Sequence, residues 1–304
     1  MNRWLAAALS TIMGWAQAPV SWAEVGPDVA LPANEAVESP EFEVFPSDEP
    51  APGAGRDAGV AIPPVIERAL AIPLPKTLEP GQWLFTIEHR NRESVDKEPV
   101  HDFFGFDAGG LKIGLGLRYG VFENMDLGVS RWNGTSERYD TYQFDGRYRL
   151  TKETSFGVDS ALQAGVSWFT QRNRKDASGP FAGLWLGRSA FDRIYLSAGA
   201  VYHTDSSDPL KRVTDRDDTL GILGSLHCRL LDTFYLLGEV SGPLAGYGAD
   251  RPAWSAGFKW VTLRHTFAVF VANSQTYGMD GLVAGTSADP DARRLGFSVT
   301  REGF

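Results

Sequence analysis

Cysteine is almost missing from this chain of 304 residues: Cys228 stands alone, so no intramolecular disulfide and no cysteine-built metal site can form. Uninterrupted apolar stretches of about 20 residues are missing as well, which excludes a helical membrane protein. Among the five histidines no His-x-x-x-His spacing occurs, so no metal site is expected. Positive charge is in deficit, with 29 Lys and Arg against 38 Asp and Glu, and no nucleic-acid partner is expected. What the chain does have is 33 Gly, nine Trp, nine Tyr and eighteen Phe. That much aromatic mass must be buried or embedded, so wholesale disorder is excluded. Glycine and aromatics rising together point to β architecture.

Residues 1–23 read as a secretory signal peptide. Arg3 supplies the positive start, Trp4 to Ala16 an apolar stretch, and Ser21-Trp22-Ala23 a small-x-small cleavage pattern, leaving Glu24 as the mature N-terminus. Residues 24–62 then hold nine acids and a single base, Arg56, among recurring prolines. Such a stretch buries too little apolar surface to offset its ordering entropy, so disorder is expected. It serves either as a solvated spacer or as a docking tail for a basic periplasmic partner. Pro63-Pro64 and Pro73 to Pro80 extend it as a stiffer hinge, with a short helix expected around Val65 to Ile72. The whole of residues 24–80 is thus expected to be a mostly disordered linker, and residues 81–304 the folded part.

From Gln82 onward the period is two. Trp83, Phe85 and Ile87 alternate with Leu84, Thr86 and Glu88; Leu115, Leu117 and Tyr119 alternate with Gly114, Gly116 and Arg118. Repeated to the C-terminus, this makes about twelve strands. A β-sandwich and a transmembrane barrel both alternate in this way. Three features favour the barrel. The spacing leaves room for a spanning strand of ~10 residues, short and long connections take turns, and Trp and Tyr gather near strand ends. The aromatics in that set are Trp83, Tyr119, Trp132, Trp168, Trp185, Tyr195, Tyr202, Tyr235 and Trp260. The fold class is therefore all-β: a transmembrane antiparallel up-and-down barrel of about 12 strands, in a bacterial outer membrane, with both termini periplasmic. Its partners are then outer-membrane lipid and lipopolysaccharide. The barrel-assembly machinery would read the last strand, which ends in Phe304. Phe304 is out of phase with Leu295, Phe297 and Val299, so a bulge near Arg301 is expected.

Several segments carry a family resemblance: Trp83 to Arg90, Asp102-Phe103-Phe104-Gly105-Phe106-Asp107, Leu115 to Gly120, Gly128 to Arg131, Asn273-Ser274 and Gly296-Phe297. In their order and spacing they resemble an uncharacterised bacterial β-barrel family, domain of unknown function family 5777, from about Leu78 to Phe304. The resemblance implies fold and location. It implies no catalytic residue and no cofactor.

The polar phase of the strands nominates lumen-lining residues: Glu88, Arg90, Lys112, Arg118, Arg131, Asp145, Arg147, Arg149, Asp159, Arg229, Glu239 and Lys259. Eight are basic and four acidic, so they form either an internal salt-bridge ladder or an anion-favouring constriction. Phe103, Phe104 and Phe106 crowd a loop that should be wet and are expected to fold inward as a constriction or lid, anchoring at the lipid interface being the alternative. Ser225 and His227 share one strand face, but nothing around them looks like a hydrolase site, and no catalytic residue is expected. The reading is a pore or binding protein for a small polar, potentially anionic, solute. The alternatives are a closed scaffold that docks a periplasmic partner through residues 24–62, and, third, a lipid-modifying enzyme.

Overall fold

The computed structural model describes residues 68–95, 111–134, 140–170, 176–206, 217–247 and 251–303. The expected signal peptide, the acidic lead as far as residue 67, Phe103, Phe104, Phe106 and Phe304 lie outside the described residues.

Twelve antiparallel strands follow one another: β1 (Trp83–Asn91), β2 (Leu111–Phe122), β3 (Met125–Trp132), β4 (Asp140–Thr151), β5 (Asp159–Thr170), β6 (Ala177–Ala190), β7 (Ile194–Ser206), β8 (Asp217–Leu231), β9 (Phe234–Gly246), β10 (Ala253–Val261), β11 (His265–Ala272) and β12 (Arg294–Gly303). Each pairs with its neighbours in sequence, and β1 closes on β12 from Trp83↔Gly303 to Arg90↔Gly296. A closed barrel leaves no backbone edge unpaired, the condition for crossing a bilayer with strands. The bulge expected near Arg301 does not occur. Arg301 pairs in unbroken register with Phe85 and His265, and the register shifts fall elsewhere, as between Gly120 and Phe122 and between His203 and Ser206.

The two faces differ as the alternation requires. Outward lie Leu115, Leu117, Tyr119, Leu162, Leu196, Phe258, Trp260 and Val269, with Trp260 52% and Val269 60% exposed. No water-soluble surface keeps such a continuous apolar belt; lipid does. Five of the aromatics assigned to the ends, Trp83, Tyr119, Trp168, Tyr202 and Trp260, lie in the outward phase. Trp132, Trp185, Tyr195 and Tyr235 instead point inward and are buried. Trp185 can lie across the lumen because Gly199 faces it, where a Cβ would come within 2.3 Å of its ring.

Short connections gather at one end of the barrel, called here the turn end, and the long ones at the loop end. One turn-end connection carries a short helix, α1 (Glu153–Phe156), closed by Gly157 at φ 74°. The loop after β11 departs from expectation. Asn273 to Thr286 are fourteen consecutive buried residues, including the helix α2 (Met279–Ala284), folded into the barrel. Val283 packs against Gly221 on β8, and the Met279 N–H donates to Gln143 Oε1 on β4 at 2.9 Å.

The second departure is at the N-terminal side. Arg68 to Leu78 form neither a disordered linker nor a helix. An isolated bridge joins Arg68 to Pro73, and the Ala69 N–H donates to the Ile72 carbonyl at 2.8 Å. The chain therefore reverses at Ala69–Ile72. Leu70, Ile72 and Leu74 are at most 2% exposed, and Leu70 and Ile72 join the same interior cluster as Trp185, Tyr235, Phe270 and Val283. Apolar content explains the reversal of expectation. Arg68 to Leu78 hold no acid, and burial of six aliphatic side chains, Ala69, Leu70, Ala71, Ile72, Leu74 and Leu78, offsets the ordering that the acidic lead cannot offset.

Candidate functional site in the barrel lumen

Alternation sets which side chains the lumen receives. Glu88, Arg90, Arg118, Asp145, Arg147, Asp159, Glu239 and Lys259 point inward and are buried, and Lys112 shares their phase at the loop end. Arg149 and Arg229 reach the turn-end rim, where Arg149 Nη2 donates to Asn124 Oδ1 at 3.3 Å and Arg229 Nη2 to the Asp192 carbonyl at 3.0 Å. Arg131 is not in the lumen. In β3 the inward phase is Asp126, Gly128, Ser130 and Trp132, so Arg131 faces outward with Val129, bonded to Asp140 at 2.8 Å and lying over the Tyr142 ring. Its charge suggested the lumen, but the strand's alternation decides. Asp126 and Glu302 join the inward set, so the excess of bases expected from the sequence shrinks.

At the centre of the β2–β5 wall these charges are mutually satisfied. Arg118 Nη1 donates to Asp126 Oδ1 at 2.6 Å and Nη2 to Asp145 Oδ2 at 2.7 Å. Arg147 donates through Nε and Nη2 to the two oxygens of Asp126, at 3.1 and 2.9 Å. Gln163 Nε2 donates to Asp145 Oδ1 at 2.8 Å, and Gln163 Oε1 accepts from Trp185 Nε1 at 2.9 Å. Removed from water, such a network holds only if each charge is matched in place. It is a wall, not an open ion path.

The remaining charges grip the chain's own N-terminal segment. Glu239 Oε1 accepts three consecutive backbone N–H groups, from Leu70 at 2.6 Å, Ala71 at 2.8 Å and Ile72 at 2.8 Å, while Oε2 accepts from Ser255. Lys259 Nζ donates to the carbonyls of Arg68 and Ala69 at 2.9 and 2.7 Å. Arg68 pairs with Glu88 at 2.5 Å, Arg147 reaches the Leu74 carbonyl, and the Leu78 N–H donates to Asp126 Oδ2 at 3.0 Å. Lys76 lies over the Tyr195 ring, 4.0 Å from Asp159, and burial lowers its pKa to about 8 despite the opposing carboxylates of Asp159 and Glu153.

Toward the loop end, Arg90 lies over the rings of Phe270 and Tyr277 and donates to the carbonyls of Ser274 and Thr276 at 3.0 and 2.8 Å. It thereby pins the inward loop. Above it lies a small recess bordered by Arg92, Lys112, Trp132, Gln275, Thr276 and Asp280. The two inward segments, Arg68–Leu78 and Asn273–Thr286, are what sequence reasoning missed. The inward constriction among the described residues is this loop.

The serine–histidine pair has no hydrolase geometry. Ser225 Oγ lies 2.7 Å from Ser197 Oγ, and neither nitrogen of the buried His227 has a hydrogen-bond partner. A nucleophile needs its base within hydrogen-bond reach.

A closed twelve-stranded barrel with an apolar outer belt and a polar, filled interior defines a membrane-bound β-barrel protein. Residues 68–302 match the membrane bound beta barrel domain family DUF5777, and the chain belongs to that family. No curated protein matches it. Among solved structures it is similar to KdgM porin (10% identity over 72% of this chain and 99% of that one, TM-score 0.46). It is also similar to an outer membrane channel from Pseudomonas putida F1 (12%, 75% and 97%, TM-score 0.41) and to outer membrane phospholipase A from Escherichia coli (12%, 73% and 90%, TM-score 0.39).

Proposed function

We propose that this protein is an outer-membrane pore that admits a small polar solute, anions favoured, from the loop end. The observation that carries the reading is the recess at the loop end of a closed barrel, where the cations Arg92 and Lys112 outnumber the single acid Asp280. Arg118 and Arg147 are tied into the wall by Asp126 and Asp145. The apolar belt would sit in lipid, with the loop end toward lipopolysaccharide and β12 as the strand presented to the barrel-assembly machinery. Catalysis is not part of the reading, since Ser225 and His227 are not joined.

Reversal potential in a salt gradient across a planar bilayer tests it. Lys112→Glu should weaken or invert anion preference while the barrel still shifts on unboiled gels. An unchanged reversal potential would remove the recess from the path.

A second reading, a closed scaffold, draws on the segment Arg68–Leu78 filling the lumen and on the nine acids of residues 24–62 as a handle for a basic periplasmic partner. Capture of such a partner by the full chain, lost when those acids are neutralised, would support it.

A further inference from the structure

We infer that Arg68–Leu78 is a withdrawable finger that gates the barrel, and that Glu239 and Lys259 are the catch that holds it shut. The inference rests on the pore reading above.

Separability is the first part of the argument. Apart from the finger's own turn, the polar contacts described for Arg68–Leu78 run between its backbone or charged side chains and side chains of the wall: Glu239, Lys259, Arg147, Asp126, Glu88 and Asp159. It adds no strand to the sheet, because β1 is already paired on both edges, with β2 and β12. Pro73 and Pro75 have no N–H to give a ladder, which keeps the segment from joining one. The barrel closes without it.

Direction is the second. From Pro73 the chain descends to the turn end, where the Leu78 N–H meets Asp126 and Gly81 and Gly120 exchange backbone bonds with their neighbours. The bridge between Arg68 and Pro73 is antiparallel, so Arg68 lies beside Pro73 at the base of the turn and Leu70–Ala71 form its tip. A turn folded back on itself in this way can withdraw along its Pro73–Leu78 leg toward the turn end.

The third is the catch. One carboxylate oxygen gathers three successive N–H groups at the tip, and one ammonium gathers two carbonyls immediately before them. Opposite charges thus clamp the donor side and the acceptor side of a single turn. Charge-assisted bonds of this kind are strong in a low-dielectric interior but are exchanged for water once the turn leaves. Lys76, buried at a cost that shows in its lowered pKa, works against the seated state.

The test uses the full-length chain in a Cys228→Ser background. Ala71→Cys and Ser255→Cys place thiols on either side of the Glu239 carboxylate, whose two oxygens accept from the Ala71 N–H and the Ser255 hydroxyl. A short bismaleimide should join them and abolish conductance in planar bilayers; leaving them unjoined should preserve it. Separately, Glu239→Gln in the Ala71→Cys chain should raise maleimide labelling of the position-71 thiol at least ten-fold and raise the open fraction. Labelling that stays at the parental level overturns the finger as a moving part, whatever the conductance. Labelling that rises with no change in conductance overturns it as a gate and takes the pore reading with it. Conductance that persists in the joined protein overturns the gate alone and leaves the pore. Should Glu239→Gln fail to fold, the joined and unjoined forms of the parental chain decide the matter.

Discussion

Arg147 and Asp126 face each other across the β3–β4 pair with two parallel N–H···O bonds, 3.1 and 2.9 Å, both side chains wholly buried. Asp126 also accepts from Arg118 and from the Leu78 backbone. One carboxylate therefore ties two strands of the wall and the root of the finger together, and the lumen's central guanidiniums are structural.

Replacing Asp126 by Ala should leave Arg147 buried with its two bonds to that carboxylate gone, and Arg118 short of one, at about 3–5 kcal/mol of stability. Urea titration of the barrel in lipid vesicles reads this loss. A change under 1 kcal/mol would mean water already reaches the network.

Leu117 lies on the outward face, 46% exposed, one residue from the inward Arg118. Leu117→Arg should cost about 2–4 kcal/mol near the bilayer midplane. On a water-facing surface the same change would stay within about 0.5 kcal/mol. The same vesicle titration separates the two.

Lys76 titrates near 8 when the finger is seated, below the 10.5 ordinary for lysine. Between those values the withdrawn state binds more protons than the seated one, so seating strengthens as pH rises from about 8 to 10.5 and is pH-independent, as far as this group goes, below 8. The open fraction of the pore should fall across that window, and Lys76→Gln should flatten the fall. A rise in opening there would contradict the burial of this amine.

Much of the barrel is legible in the sequence because a two-residue period encodes face directly. Of the twelve charged positions assigned to the polar phase, eight point inward and are buried, Lys112 shares their phase, and Arg149 and Arg229 reach the turn-end rim; Arg131 departs because it stands in the apolar phase of β3 with Met125, Leu127 and Val129, where its charge misleads. The fillings were harder to see. The prolines and acidic neighbours of Arg68–Leu78 argue for a linker, yet its aliphatic side chains find a core once twelve distant strands enclose one. Asn273–Thr286 carries one charge, Asp280, in fourteen residues, a poor composition for a wet loop.

Ser287 and Thr154 are both exposed, at the loop end and the turn end respectively. With Cys228 replaced by Ser, cysteine at 287 should react with an impermeant maleimide on intact cells and cysteine at 154 only after lysis. The reverse pattern would invert the barrel in its membrane.

Backbone hydrogen exchange at Leu70, Ala71 and Ile72 tests most directly that the chain's own N-terminal segment occupies the lumen. Three N–H groups held on one buried carboxylate should exchange orders of magnitude more slowly than exposed chain and lose that protection in Glu239→Gln. Exchange of residues 68–78 at the rate of exposed chain, with the strands still protected, would contradict the account.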